Sequence, residues 1–343
     1  MSKINLMKNN ILIIGGGPAG LEASGILVKM GYNVILVEKE KQLGGHLAKW
    51  DTLFPDGLKA EDLLKAMIKK TGGVKYFTDT QVQSVNILNK SYNVILSNGI
   101  TVLADAVLLA TGFDLFKAEK KEEYGYGVYE GVITNADLEQ YFKGNFSIKK
   151  PKAVGFVHCV GSRDEKACNP ACSKVCCATA VKQACHIKEK FPQADVFCFY
   201  MDLRMFGRHY EDLYLKAQKM GIRFIRGRVS EVAETSEGRL LVKAEDTLSS
   251  KPIKVTLDTL VLMAGMRPSE SGYQVGHQLN LSVEEDGFFS TKDTMLSLQK
   301  SNLEGLFFAG AATGPKTLPD TLHEARSAAM EIDNYITETF NKR

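Results

Sequence analysis

The sequence predicts an α/β protein of two doubly wound domains, each a parallel sheet flanked by helices, with the first domain discontinuous. Three observations predict it. Residues 11–14 (ILII) are a wholly apolar run, as a strand buried on both faces requires, and they lead through GGGPAG into an apolar-periodic helix stopped by Gly31. The theme recurs from about residue 151, with a strand at Ala153–Val157, a helix at about 175–190 and a strand at Asp195–Tyr200. A last buried strand in LEGLFFA (303–309) and a closing helix at about 319–340 return the chain to the first domain.

Between these anchors the elements follow in order. Val34–Val37 is a second buried strand ending in Glu38, which completes a βαβ unit. Residues 58–70 read as a helix. Residues 74–103 alternate apolar and polar around Ser97-Asn98-Gly99, the signature of an antiparallel hairpin. Ala106–Leu109 is another buried strand, closed by Ala110-Thr111-Gly112. In the second half a helix runs to Met220, Gly221 stops it, and Arg223–Ile225 forms a strand. The expected division is 1–150 with 281–343 as one domain and 151–280 as an insert.

Composition removes several function classes. With 343 residues, 44% hydrophobic and 24% charged, the chain has the make-up of a globular protein of about two domains. A net charge of +3 points to neither nucleic acid nor an anionic membrane as main partner. Arg223, Arg226 and Arg228 read as a solvated strand edge. No run reaches the roughly 18 apolar residues of a membrane span, and the opening MSKINLMKNN has no apolar core of a leader. The seven cysteines are clustered rather than spread as a disulfide framework, which fits a reducing, cytoplasmic setting and a metal or redox role.

Gly15-x-Gly17-x-x-Gly20 follows a strand and opens a helix, with Pro18 and Ala19 between the last two glycines. Gly15 permits the tight turn, Gly17 lets the backbone approach a pyrophosphate, and Gly20 lets helix and sheet pack closely. The helix start offers free N–H groups and the positive end of its dipole to the phosphates. Glu38 is placed to accept hydrogen bonds from a ribose diol and to repel a 2′-phosphate. Glycines, strand, helix and acid agree on a dinucleotide site.

Five of the seven cysteines lie between Cys159 and Cys177, in CVGSRDEKACNPACSKVCC. Cys159, Cys172, Cys176 and Cys177 form a C-x12-C-x3-C-C run, with Cys168 between as a spare thiol or a substitute for Cys172. The spacing differs from paired zinc knuckles and suits an iron–sulfur cluster capping a helix start. Cys185 and Cys198, in a helix and a strand, read as small core residues. His158 and His209 receive no role.

The motifs GGGPAGLEA, VEKEKQLGGH, ATG at 110–112 and LEGLFFAGAATGPKTLPDTLHEARSAA resemble those of the flavoproteins with two dinucleotide-binding domains, the superfamily of thioredoxin reductase. The resemblance covers nearly the whole chain and implies a thioredoxin-reductase-like pair of Rossmann-type domains with FAD in the first. It places Glu38 and Lys39 at the adenosine ribose and Gly44, Gly45 and His46 on the flavin side. Val82 would meet the adenine, and Ala110, Thr111 and Gly112 would lie along the pyrophosphate. Gly310 and Ala311 would lie near the ribityl chain, and Pro319 and Asp320 at a helix start under the flavin pyrimidine. Many relatives have Gly-Asp where this chain has Gly310-Ala311, so one ribityl contact is lost.

Thioredoxin reductases also carry a C-x-x-C pair and a second glycine loop; here the strand at 153–157 runs straight into HCVGSRD. That stretch and GPKTLPDT resemble the family of heterodisulfide reductase A subunits, which implies a [4Fe–4S] cluster held by Cys159, Cys172, Cys176 and Cys177. It also implies a lysine near flavin N5 at Lys182, for which a surface lysine is the alternative. The run C-x2-C-x2-C-x3-C of the full-length family member is absent, so the chain resembles the compact form found in the heterodisulfide-reductase-like complex of sulfur oxidisers. The implied function is electron transfer between FAD, cluster and partner iron–sulfur subunits, with homodimerisation allowed. Three alternatives stand beside it: the A subunit of quinone-modifying oxidoreductase, a self-contained NAD(P)H-dependent flavin disulfide reductase, and a scaffold that binds FAD without turnover.

Overall fold

The computed structural model describes residues 9–340. The leader expectation bears in part on residues 1–8, which lie outside the described residues. The chain divides into two compact units, one of residues 1–48, 61–114 and 267–343, the other of 49–60 and 115–266.

The first unit is built on a five-stranded sheet in the order Leu306–Phe308, Ala106–Leu109, Asn10–Ile14, Asn33–Val37, Lys75–Phe77. All neighbours are parallel, with Leu12 opposite both Ile35 and Val107. Four apolar residues in succession are buried in each of the central strands, because both faces are covered. Helices Pro18–Lys29 and Leu318–Thr339 pack together. A three-stranded antiparallel sheet (Val82–Leu88, Ser91–Leu96, Thr101–Ala104) shows the alternation of a half-buried surface. Its inward residues Val85, Tyr92, Val94 and Val102 share a core with Leu12, Val107 and Phe308.

The second unit repeats the layout: Arg223–Arg226, Asp195–Tyr200, Ala153–Val160, Thr259–Ala264 and Val132–Thr134 form a parallel sheet in that order. Helix Cys176–Lys190 covers one face, burying Ala178, Val181 and Ala184 against Val154, Phe156 and Val261. An antiparallel ribbon (Val229–Glu234, Leu240–Asp246, Lys251–Leu257) covers the other against Val157 and Leu262. Each fully buried side chain of this kind, such as Phe156, contributes about 1.5–3 kcal/mol by leaving water.

Three expectations are corrected. The boundaries fall at 114/115 and 266/267 rather than 150/151 and 280/281. Val132–Thr134 pairs with Thr259–Ala264 and therefore belongs to the second sheet, while helix Glu270–Gln278 packs on strand Val82–Leu88 of the first unit. Residues 49–60 join the second unit, where the Glu139 carboxylate accepts from Asp51 N and the Lys182 ammonium donates to Thr52 O. The region 74–103 is not one hairpin: Lys75–Phe77 is a parallel edge strand, and the remainder turns twice, at 89–90 and at 97–100.

Candidate functional site

The loop from Ile14 to Pro18 is shaped by two close approaches. A Cβ on Gly15 would fall 2.3 Å from Ala110 O, and one on Gly20 would fall 1.9 Å from Gly15 O. Gly15 also has φ +112°, a conformation that is costly for any other residue. Gly17 differs: its Cβ position meets nothing within 4 Å, so the backbone there faces open space. Gly17 is also the N-cap of helix Pro18–Lys29, which has no side-chain cap and no acidic residue in its first turn. The free N–H groups of Ala19 and Gly20 thus remain for an anion.

Glu38 is buried, and its carboxylate accepts from Gly16 N at 2.6 Å and Glu40 N at 2.8 Å. It fixes the glycine loop to the end of its strand, a task the sequence did not announce. A Cβ on Gly45 would fall 3.2 Å from Gly17 Cα, and one on Gly44 would fall 2.7 Å from a Leu64 methyl. His46 stacks on Phe113, with centroids 4.1 Å apart and Nε2 2.9 Å from Phe113 O. Ala110 is buried in the same turn, Thr111 abuts Gly272, and Gly112 faces open space. Lys39 lies 3.8 Å from Asp114 and, with Gln81, Val82, Tyr273 and His277, lines an open pocket of ≈ 760 Å³. The contributions of Tyr273 and His277 were missed in the sequence because their helix was not recognised.

Gly310 and Ala311 form a short buried turn before helix Leu318–Thr339. Thr317 caps that helix in a capping box with Asp320, and Pro319 lies in its first turn. The Asp320 carboxylate accepts from Thr317 N at 3.3 Å, so it closes the helix start. A second acid serves the turn itself. Glu324 accepts from Gly310 N at 3.1 Å and pairs with Lys316 at 3.2 Å, while Lys316 also donates to Gly310 O at 3.2 Å. Burial pushes the Glu324 carboxyl above its ordinary value against the pull of Lys316. No sequence motif flagged this pair, although it braces the turn where relatives place an aspartate. Glycine cradle, uncapped helix start and adjoining pocket together fit a dinucleotide.

The cysteine loop of the second unit is pinned at several points. Asn169 Nδ2 donates to Gly161 O at 2.8 Å, Lys121 pairs with Asp164 at 2.7 Å, and Met266 N donates to Ser173 Oγ at 2.8 Å. Four non-glycine residues adopt the left-handed region: Cys159, Arg163, Cys168 and Lys174. The strand register also shifts between Val157 and Val160, a bulge that re-aims His158 and Cys159.

Burial pushes the Cys159 thiol up to about 11, and the nearby Cys177 and Cys172 thiols act in the same direction. Burial likewise holds Cys176 well above the ordinary thiol value, with Cys159, Cys177 and Cys172 adding to it. These four sulfurs are mutual neighbours, whereas Cys168 sits exposed on the outer turn of the loop. Cys172 Sγ accepts from Lys174 N at 3.3 Å, and the Cys177 thiol donates to Asp202 O at 3.6 Å. Helix Cys176–Lys190 starts here with no side-chain cap and no acid in its first turn. Among the described residues, no group of three or more His, Cys, Asp or Glu side chains is disposed to hold a single metal ion.

The strand of Cys159 also carries an orphan, whose ring lies 6.4 Å from that of Tyr200. His158 is buried with neither ring nitrogen hydrogen-bonded, and burial lowers it to about 4. A buried imidazole without partners is costly unless a further group supplies one. Four neighbouring thiols at one helix start have the donor chemistry of a sulfur-rich group held in the loop. Cys185 and Cys198 are core residues as expected.

Lys182 is not a surface lysine. It is buried, and its ammonium donates to Glu139 Oε1 at 2.5 Å and Thr52 O at 2.8 Å. Glu139 also accepts from Gln183 Nε2 at 2.8 Å and Asp51 N at 2.9 Å.

Residues 2–144 match the family described as pyridine nucleotide-disulphide oxidoreductase. Among curated proteins the chain is 31% identical over 412 residues to the second iron-sulfur A subunit of CoB–CoM heterodisulfide reductase of Methanopyrus kandleri, covering 93% of the chain and 63% of that protein. It is 38% identical over 245 residues to the A subunit of the H2/formate:CoB-CoM heterodisulfide, ferredoxin reductase of Methanococcus maripaludis, covering 68% of the chain and 37% of the relative. The chain thus spans less than two thirds of the length of these relatives. Among solved structures, Lactococcus lactis thioredoxin reductase superposes with a TM-score of 0.69 at 17% identity over 96% of this chain and 100% of that one. The T. acidophilum thioredoxin reductase gives 0.67 at 16% identity, over 96% of this chain and 99% of that one. Among the described residues no helix is long and apolar enough to cross a membrane. The chain is similar to heterodisulfide reductase A subunits, and its fold is the two-domain fold of thioredoxin reductase.

Proposed function

We propose that the chain is an FAD- and [4Fe–4S]-containing electron-transfer subunit of a cytoplasmic heterodisulfide-reductase-like complex. In that role it passes electrons between flavin, cluster and partner iron–sulfur subunits, with the thiol or disulfide chemistry on a partner. The observation that carries this reading is the gathering of Cys159, Cys172, Cys176 and Cys177 at an uncapped helix start, where a second nucleotide loop would otherwise stand. The name of iron-sulfur subunit is said of the Methanopyrus relative, and the compact form is the version we assign here.

The chain's own residues have defined tasks in this reading. Ala19 and Gly20 N–H groups, at the positive end of their helix, hold the FAD pyrophosphate, and Glu38 keeps the loop in register for it. Lys39 and Val82 border the adenosine pocket. The Lys316–Glu324 pair braces the Gly310–Ala311 turn along the ribityl chain. Cys159, Cys172, Cys176 and Cys177 would be the thiolates that hold a [4Fe–4S] group. When bound, that group supplies one-electron transfer beside the two-electron flavin.

Replacing Cys176 and Cys177 with serine in anaerobically prepared protein tests the assignment. The double variant is expected to lose iron and sulfide while retaining a stoichiometric flavin spectrum. Iron content equal to that of the parent chain overturns the ligand assignment.

A further inference from the structure

We propose that the arginine-lined turn after strand Asp195–Tyr200 is the docking surface for an acidic electron-carrier protein, a small iron–sulfur protein of negative surface charge. The idea rests on a redox centre at the four cysteines, but its binding arm can be measured without one. The turn Met201–Arg204 adjoins that centre directly: Cys177 donates to Asp202 O at 3.6 Å, and the Arg204 backbone N–H faces the Cys177 thiol.

Three further arginines converge on the same turn from distant points of the sequence. Arg163 Nη2 lies 2.7 Å from Asp202 Oδ2, and Arg226 Nη2 lies 3.5 Å from Oδ1 with its Nε 3.2 Å from Met201 O. Arg228 Nη2 donates to Arg163 O at 2.7 Å. Four arginines thus gather at a turn that carries one carboxylate, and the nearby Asp164 is already taken by Lys121. For a chain whose whole net charge is +3, this is a local concentration of positive potential. The side chain of Arg226 is 48% exposed, and Phe206, between Arg204 and Arg208, is 66% exposed. An exposed aromatic flanked in sequence by two arginines has residue types enriched at protein interfaces.

The arrangement disfavours a small anion. The guanidinium groups are spent on Asp202 and on main-chain oxygens, so they project a field outward rather than converging on an empty cradle. A carrier seated on this rim lies next to the cysteine-bearing helix start. In such an encounter one electron leaves the reduced carrier and enters the oxidised centre, or the reverse, with no bond made or broken.

The test uses the full chain and an oxidised plant-type [2Fe–2S] ferredoxin as acidic probe, with affinity measured by biolayer interferometry. Binding is expected to weaken ~10-fold or more between low and high salt, as screening shortens the reach of the rim. The double variant R226E/R228E is expected to weaken it ~10-fold or more at low salt and to flatten the salt dependence, and F206A to raise the off-rate with less effect on the on-rate. Absence of binding by the parent chain, or equal binding by R226E/R228E, overturns the proposal. So does equally tight binding of a single-stranded DNA 20-mer lost in the same variants, which marks an unselective cation patch. Iron content and dithionite reduction, measured on the same preparations, report separately on the redox centre.

Discussion

Removing the carboxylate of Glu139 should weaken the second unit far more than a surface charge deletion would. The side chains of Glu139 and Lys182 are 3% and 6% exposed, so the pair is desolvated. Glu139 accepts three bonds, from Lys182, Gln183 and Asp51 N, and Glu139→Ala removes all three at once. Gln183 keeps Asn135 O, but Lys182 is left with a single carbonyl, Thr52 O, against a full buried charge. Breaking such a pair from one side costs about 3–5 kcal/mol. Lys182→Met should cost about as much by stranding the carboxylate, whereas the double variant E139L/K182M strands no charge and should regain about 2 kcal/mol or more relative to the sum. Trp50, the single tryptophan, lies in the segment that Glu139 anchors, so urea unfolding followed by its emission reads this unit directly. If the two single losses simply add in the double variant, the ammonium and carboxylate do not act as a buried pair and the reasoning fails.

Further outcomes follow from the same geometry. Gly17→Ala should leave the flavin-free melting temperature unchanged, since its Cβ meets nothing within 4 Å, yet lower FAD affinity by ~10-fold or more as measured by fluorescence titration. Gly20→Ala should impair both, because its Cβ would fall 1.9 Å from Gly15 O, and unchanged stability would contradict that packing. Because the folded His158 is lowered to about 4 while an unfolded histidine sits near 6.5, the unfolded chain binds the extra proton first. Stability of the iron-free protein should therefore fall by about 3 kcal/mol as pH drops from about 6.5 to about 4. The variant H158L should lack this contribution, and an identical pH profile for parent and variant would refute the burial argument.

The glycine loop, the alternating strands and both long helices were legible because local chemistry decides them. The apolar run 11–14 is buried in a strand covered on both faces, and Gly15 and Gly20 stand where a Cβ would collide with backbone. What stayed hidden depends on contacts distant in sequence. Residues 49–60 carry no pattern that assigns them to the second unit; the assignment comes from Glu139 and Lys182, more than eighty residues away in the chain. The strand Val132–Thr134 is only three residues long and becomes one because Thr259–Ala264 offers it an edge. The same holds at the site. Arg226 and Arg228 read, with Arg223, as a solvated strand edge, and Arg163 carried no reading until the fold brought Arg163, Arg226 and Arg228 to one turn.

The cysteine loop illustrates both cases. The clustering of its thiols is plain in the sequence, but the choice between Cys168 and Cys172 is not, because both fall in the same loop. The structure separates them by burial and company: Cys168 is on the exposed turn, and Cys172 is a neighbour of Cys159, Cys176 and Cys177. A C168S variant should therefore retain iron that a C172S variant loses.

The most direct test is the iron, sulfide and flavin content of the full chain after anaerobic reconstitution. About four irons and four sulfides per chain together with one flavin is the predicted result. A full complement of flavin with no iron would contradict the account.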